Sequence, residues 1–137
     1  MKSAARQWLV TVAALGNRTF SEKSGGEKKS ETSKWRDGGA VFSDVITAPP
    51  EISDVVLTNA YDPDVDATMI RTLLTQVGVL TTTITQVPLY GDMTRVPGVA
   101  PLVYTGAVLT AVTPPEPNSN SGDPGTYKLT FSVNALA

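Results

Sequence analysis

Apolar and polar residues alternate along much of the chain, and this pattern predicts mostly β-structure. The clearest stretch is residues 126–133, where Tyr127, Leu129, Phe131 and Val133 alternate with polar residues. One face of this strand is expected to be buried and the other exposed. Other apolar stretches are predicted as further strands: residues 8–15, 52–58, 80–87 and 102–112. The predicted fold is therefore mainly β, a β-sandwich or an open barrel.

One segment has a helical period instead. Asp62 is a favourable N-cap, Pro63 suits the first helical position, and Gly78 suits the position after the last turn. Six apolar residues form the stripe that should pack on the sheet: Val65, Met69, Ile70, Leu73, Leu74 and Val77. We expect one flanking α-helix over residues 62–77.

A long polar segment, residues 21–39 (SEKSGGEKKSETSKWRDGG), interrupts the apolar pattern. Because it has almost no apolar residues of its own to bury, it is predicted to be an extended arm that another copy of the chain orders. The glycine pair Gly25 and Gly26 is expected to form the turn at its tip. Ten residues are the candidate contacts with another subunit: Lys23, Gly25, Gly26, Glu27, Lys28, Lys29, Glu31, Lys34, Trp35 and Arg36.

Composition removes most enzyme chemistry. The chain has 137 residues, enough for a single domain, and neither cysteine nor histidine. Serine–histidine and cysteine–histidine catalysis and histidine-containing zinc sites are therefore excluded. A carboxylate pair such as Asp44 and Asp92 has no feature that brings its members together. We expect no catalytic residues, no cofactor and no enzyme activity.

Three alternating aspartates, Asp62, Asp64 and Asp66, resemble the start of a calcium loop. Such a loop needs glycine at its sixth position and glutamate at its twelfth, and here these are Ala67 and Leu73. Capping of the predicted helix explains the three carboxylates better, since negative charge is favourable in the first helical turn. No metal site is expected.

The charges are unevenly divided. Residues 1–37 contain eight Lys/Arg and four Asp/Glu, a net +4, whereas residues 38–137 contain three and nine, a net −6. This asymmetry favours attraction between identical subunits over nucleic-acid binding, because acids interrupt the basic residues. No apolar run approaches the roughly 20 residues that a membrane-spanning helix requires, and residues 8–15 are interpreted as a strand and not as a signal peptide.

Five short motifs occur along residues 18–134: GGE at residues 25–27, KWRDGG at 34–39, Tyr-Asp at 61–62 before the helix, YTG at 104–106 and the polar PNSNS at 117–121. With these motifs the chain resembles the major tail tube proteins of long, non-contractile phage tails, particularly those of phages that infect actinobacteria. Two departures are Trp35, where the family pattern has tyrosine, and Asp37, where it has proline.

The resemblance implies a structural virion protein, a single tail-tube-like domain over residues 1–137 with an inter-subunit arm at 21–39. Its copies would form hexameric rings that stack into the tube through which DNA is ejected, with the ten arm residues in contact with the adjacent ring. The implied partners are other copies, the tape-measure protein and tail-terminator and tip proteins, with DNA passing through the lumen unbound and no membrane contact. Assembly would take place in the host cytoplasm, and the protein would reside in the virion.

The alternative is a monomeric binding module, such as an adhesin-like β-sandwich. A module of this kind would bind through exposed aromatic side chains, for which Tyr90 and Tyr104 are the best candidates.

Overall fold

The computed structural model describes residues 8–16, 18–36, 38–39, 41–120 and 122–136. The strands are β1 (Trp8–Val12), β2 (Glu22–Gly25), β3 (Lys28–Lys29), β4 (Thr32–Trp35), β5 (Asp44–Thr47), β6 (Glu51–Ile52), β7 (Val55–Ala60), β8 (Thr81–Pro88), β9 (Leu102–Thr113), β10 (Thr126–Ser132) and β11 (Ala135–Leu136). The helix α1 is Pro63–Thr75, and a short 3₁₀-helix follows β1 at Ala13–Leu15. In the described part of the chain the fold is thus mainly β with one α-helix, as predicted.

A single curled sheet forms the body. Its seven strands are antiparallel in the order β1-β8-β9-β10-β7-β2, with β11 paired to β9. The two outer strands approach each other at one end, where Thr11 and Thr19 form a bridge and the Phe20 N–H donates to the Val10 carbonyl at 3.2 Å. The sheet is a half-barrel, and of the two predicted forms the structure shows the open barrel.

The core lies inside the curl of this sheet. On β10 the predicted alternation is confirmed, because Tyr127, Leu129 and Phe131 are completely buried while Lys128 is exposed. Residues from the neighbouring strands complete the core: Val10, Val12, Val55, Leu57, Ile84, Ala107 and Leu109. Residues 13–15, predicted to continue the first strand, instead form the 3₁₀-helix.

The helix begins as the sequence predicts. Asp62 is the N-cap, and its carboxylate accepts from the Asp64 N–H at 3.1 Å. Asp66 accepts in turn from the Asp62 N–H at 2.9 Å and forms an ion pair with Arg18 from the segment after β1. Capping hydrogen bonds therefore account for Asp62 and Asp66. The ion pair between Arg18 and Asp66 joins the helix to the body.

The predicted packing face of the helix is only partly correct. Ile70 and Leu73 are buried and Met69 is half-buried. Three members of the predicted stripe, Val65, Leu74 and Val77, are instead exposed. In the first turn the buried residue is Asp66, which is 2% exposed and pairs with Arg18, and not Val65. Val77 lies beyond Thr75, the last residue of the helix. The buried face of the helix, formed by residues 66, 70 and 73, is narrower than the predicted six-residue apolar stripe.

The predicted arm boundaries are also wrong. Glu22–Gly25 is a strand of the main sheet, paired with β7. The part that leaves the body is a long β-hairpin over residues 27–53, in which β3 pairs with β6 and β4 pairs with β5. The first half of this hairpin is polar, and its return strand carries the apolar residues Val45 and Ile46. We call residues 27–53 the hairpin and the remainder the body.

Candidate assembly surface

The hairpin is anchored at its base by a contact with Tyr104, which is 3% exposed. The Lys23 ammonium donates to the Tyr104 hydroxyl at 2.8 Å and lies 4.6 Å from the centre of its ring. The hydroxyl in turn donates to the Gly26 carbonyl at 3.2 Å. The last turn before the hairpin is thus held by a buried tyrosine of β9.

The two glycines of this turn belong to the base and not to the tip. Gly25 and Gly26 have φ of 78° and 81°, a region that suits glycine. A Cβ on Gly25 would lie 1.9 Å from the Asp54 carbonyl oxygen, and one on Gly26 would lie 2.6 Å from the Tyr104 hydroxyl. Both positions therefore require the absence of a side chain, and the expectation of a tip at this pair is wrong.

Beyond the base the hairpin is exposed on both sides. Glu27 and Ser53 close it with two hydrogen bonds of 2.9 Å. Farther out, every residue of β4 and β5 is exposed, and Val41 and Phe42 between these strands are 78% and 85% exposed. A two-stranded ribbon is at best marginally stable in water. A hairpin with this much exposed apolar surface is suited to contact with another molecule.

The ten predicted contact residues divide into two groups. Lys23, Gly25 and Gly26 contact their own chain at the base. Seven others are exposed on the hairpin: Glu27, Lys28, Lys29, Glu31, Lys34, Trp35 and Arg36. The structure adds the return strand, which sequence reasoning missed. Two features of the sequence could have indicated this strand: the adjacent β-branched residues Val45 and Ile46, and the prolines Pro49 and Pro50 that would end it.

The hairpin does not carry the net +4 of residues 1–37. Residues 27–53 contain four Lys/Arg and five Asp/Glu, a net −1, because the return strand contributes Asp44 and Glu51. The basic first strand is therefore neutralised within its own hairpin. An attraction between a basic arm end and an acidic body is therefore no longer a suitable description of the contact.

A second candidate surface is the seam between β1 and β2, next to the bridge that Thr11 and Thr19 form. A cavity of about 180 Å³ opens there, with Trp8, Phe20 and Gln86 in its wall. The Gln86 Oε1 atom is buried and has no hydrogen-bond partner among the described residues. Buried acceptors are normally paired, and a donor from outside the chain would satisfy this one.

The rest of the body offers little for small-molecule chemistry. A groove of about 520 Å³ lies beside the proline-rich loop over residues 114–125. Within the described ranges no three acidic residues lie close enough together to hold a metal ion, and no helix there is long and apolar enough to cross a membrane. Of the two tyrosines considered for a binding module, Tyr104 is buried and Tyr90 is 49% exposed.

Comparison with known proteins identifies the fold. No family model matches the chain, and no curated protein matches it. Solved structures do match. A chain of the anti-feeding prophage cap, described as the tube-terminating cap, has a TM-score of 0.80 at 16% identity and covers 100% of this chain and 90% of its own.

Two further matches come from assemblies of the same kind. A chain of the sheath-tube complex of the extracellular contractile injection system PVC, in its extended state, has a TM-score of 0.77 at 17% identity, covering 99% of this chain and 90% of its own. A chain of the anti-feeding prophage baseplate, reconstructed with 6-fold symmetry, has a TM-score of 0.78 at 14% identity, covering 100% and 95%. The protein therefore has a tail-tube-like fold.

Proposed function

We propose that this protein is a structural tail protein whose copies assemble into rings that stack into a tube. The observation that carries the proposal is the match over the whole chain with chains of tube-bearing injection systems. The exposed hairpin supports it independently, since its apolar residues Phe42, Val45 and Ile46 have no cover in the body. Repeated contact between identical subunits would provide that cover.

Ring formation has a physical rationale in the open sheet. Strands β1 and β2 lie at its edges, and unpaired edge strands readily pair with other chains. A closed ring would satisfy these edges and prevent uncontrolled growth sideways. Six copies are proposed by analogy with the 6-fold baseplate, while stacking between rings would propagate along the axis.

A conduit for DNA is the proposed use of such a tube. Residues 54–137 contain seven Asp/Glu and three Lys/Arg, a net −4. An acidic lumen would repel the phosphate backbone and let DNA pass without binding. The tape-measure protein and terminator and tip proteins are the proposed partners, and the proposed locations are the host cytoplasm during assembly and then the virion. The proposal includes no enzyme activity.

The type of tail is a separate question. The sequence motifs resemble those of non-contractile tails, whereas the PVC chain comes from an assembly described as a contractile injection system with a sheath-tube complex. We propose the non-contractile type, because the quoted motifs belong to that family. Purification of the assembled particle tests it, since a contractile tail would carry a sheath protein around the tube.

Electron microscopy of the purified protein tests the main proposal. We expect rings or tubes of uniform diameter with a central lumen, and analytical ultracentrifugation should show sizes well above 14.4 kDa. A monomer at every concentration, including that reached in the presence of partner tail proteins, would contradict the proposal and favour the monomeric binding module.

A further inference from the structure

The two faces of the hairpin differ in charge. In an antiparallel pair, residues directly opposite each other project to the same face, and neighbours along a strand alternate. In the outer half, Trp35 lies opposite Asp44 and Ser33 lies opposite Ile46, so these four share one face. Lys34, opposite Val45, lies on the other face.

The inner half continues this division. Lys28 lies opposite Ile52, and Lys29 lies opposite Glu51. From the Lys29 pair to the Thr32–Thr47 pair, the first strand advances three residues (32 − 29) and the return strand four (51 − 47). The extra residue is therefore in the return strand, as in a β-bulge, and the first strand keeps its alternation.

Two faces of opposite charge result. The basic face contains Lys28 and Lys34 and no acid over residues 28–35 and their paired partners, a charge of +2. The acidic face contains Glu31, Asp44 and Glu51 together with Lys29, a charge of −2, and it also carries Trp35 and Ile46. All six charged residues are exposed.

Within the described ranges, none of these six charges has an ion-pair partner. Among the described residues, the one ion pair joins Arg18 and Asp66 in the body. The hairpin leaves the body at its anchored base, so its faces are held in a fixed direction by Gly26 and Tyr104. When two copies of the hairpin lie side by side in the same orientation, the basic face of one meets the acidic face of the other. The two faces are therefore complementary.

We propose that the basic face of the hairpin of one copy packs on the acidic face of the hairpin of the next copy. This inference rests on the proposed ring assembly and names its lateral contact. The contact is heterologous, because it joins two different faces, and such contacts close into rings when the rotation allows. It brings Lys34 near Trp35 of the next copy, where an ammonium over an indole ring is favourable. It also covers Ile46 and Val45.

Charge reversal of each face provides the test. Lys28→Glu with Lys34→Glu makes both faces acidic, and Glu31→Lys with Asp44→Lys makes both basic. Like charges face each other at every junction in either variant, so we expect the protein concentration needed for assembly to rise at least about tenfold at low salt. The combined fourfold variant exchanges the signs of the two faces, and we expect it to assemble within about threefold of the parent.

A matched control separates this contact from net charge. Arg71→Glu with Lys128→Glu makes the same change in total charge as Lys28→Glu with Lys34→Glu, at two exposed residues of the body. We expect it to assemble like the parent. Circular dichroism should show all variants folded, since every substituted side chain is exposed.

The outcomes distinguish the inference from the proposed function. A parent that forms no rings overturns both. If the parent assembles but the fourfold variant stays as defective as the two single-face variants, the facing of the hairpins is wrong and the ring proposal stands. An equal defect in the body control also overturns the inference, because it would assign the effect to net charge.

Discussion

The body and the hairpin are stabilised in different ways. In the body, the eight largest buried side chains are less than 2% exposed, and all of them except Val12 on the edge strand β1 lie on strands that pair with neighbours on both sides. In the hairpin, Trp35, Val45 and Ile46 are 63%, 58% and 56% exposed, and each strand has one partner. The strands of the body bury their core side chains against one another, whereas the hairpin leaves its apolar side chains exposed. We therefore expect folding and the proposed assembly to be separable.

The largest expected effect comes from removal of the hairpin. We predict that replacement of residues 28–51 by a two-residue turn leaves the body folded, because the core lies outside this segment. Assembly should be lost completely, as the exposed apolar residues and both charged faces are removed together. Circular dichroism and electron microscopy measure the two results.

Normal tubes from this variant would show that the hairpin is not required for assembly. An unfolded body would show instead that the two regions are one cooperative unit. A deletion that begins at Lys23 is unsuitable as a test, since it also removes β2 from the main sheet.

The second prediction sharpens the comparison within one helix. Leu73 is 3% exposed and its neighbour Leu74 is 50% exposed. Truncation of a buried leucine to alanine costs about 2–5 kcal/mol, so Leu73→Ala should lower the free energy of unfolding by that amount. Leu74→Ala should change it by less than about 0.5 kcal/mol.

Urea unfolding at a concentration below the onset of assembly measures both variants. Both variants replace leucine by alanine in the same helix, so helix propensity does not contribute to the difference between their free energies of unfolding. Equal losses would mean that Leu74 is buried in solution, as the sequence pattern originally predicted. A defect of Leu74→Ala in assembly alone would instead place this face of the helix at a subunit contact.

The third prediction concerns the junction between the two regions. Gly25 and Gly16 both have positive φ, at 78° and 65°, but only Gly25 lacks room for a Cβ. Gly25→Ala should therefore cost about 1–3 kcal/mol more than Gly16→Ala, since it adds a clash with the Asp54 carbonyl to the backbone strain. Urea unfolding measures the difference, and proteolysis should increase at the hairpin base in the first variant only. Similar losses for the two alanines would show that the base is not tightly closed.

The sequence predicts the body better than the hairpin, and burial explains why. Alternation on β10 and the Asp62–Pro63 start of the helix follow from local rules, and the structure confirms both. Val65 and Leu74 were misassigned because the position facing the sheet went to Asp66, which becomes suitable there only through Arg18, a residue 48 positions away. The hairpin was found from its polar first strand. Its return strand was missed because both of its faces are exposed. Its sequence therefore lacks the alternation of apolar and polar residues that marks a half-buried strand.

The smallest expected effect lies in a loop of the body that makes only local contacts. The Asp92 carboxylate accepts from the Thr94 hydroxyl at 2.6 Å and from the Thr94 N–H at 3.1 Å. These bonds, chiefly that of the hydroxyl, lower the pKa of Asp92 below its ordinary value of 3.8. A lowered pKa in the folded state stabilises the protein above the pKa of the unfolded state. This stabilisation is lost as the pH falls through the folded pKa.

Thr94→Val removes the hydroxyl and keeps the N–H, so the pKa of Asp92 should move upward toward its ordinary value. Thr94→Ser keeps the hydroxyl and should retain the lowered pKa. Carboxyl-carbon NMR between pH 2 and pH 6, about two units either side of the ordinary carboxyl range, measures both variants. Because the carboxylate is fully accessible to water, Thr94→Val should lower the free energy of unfolding at neutral pH only slightly, and neither variant should affect assembly. An unchanged pKa in Thr94→Val would mean that this turn does not persist in solution. An altered assembly would mean that the loop, and not only the hairpin, meets another subunit.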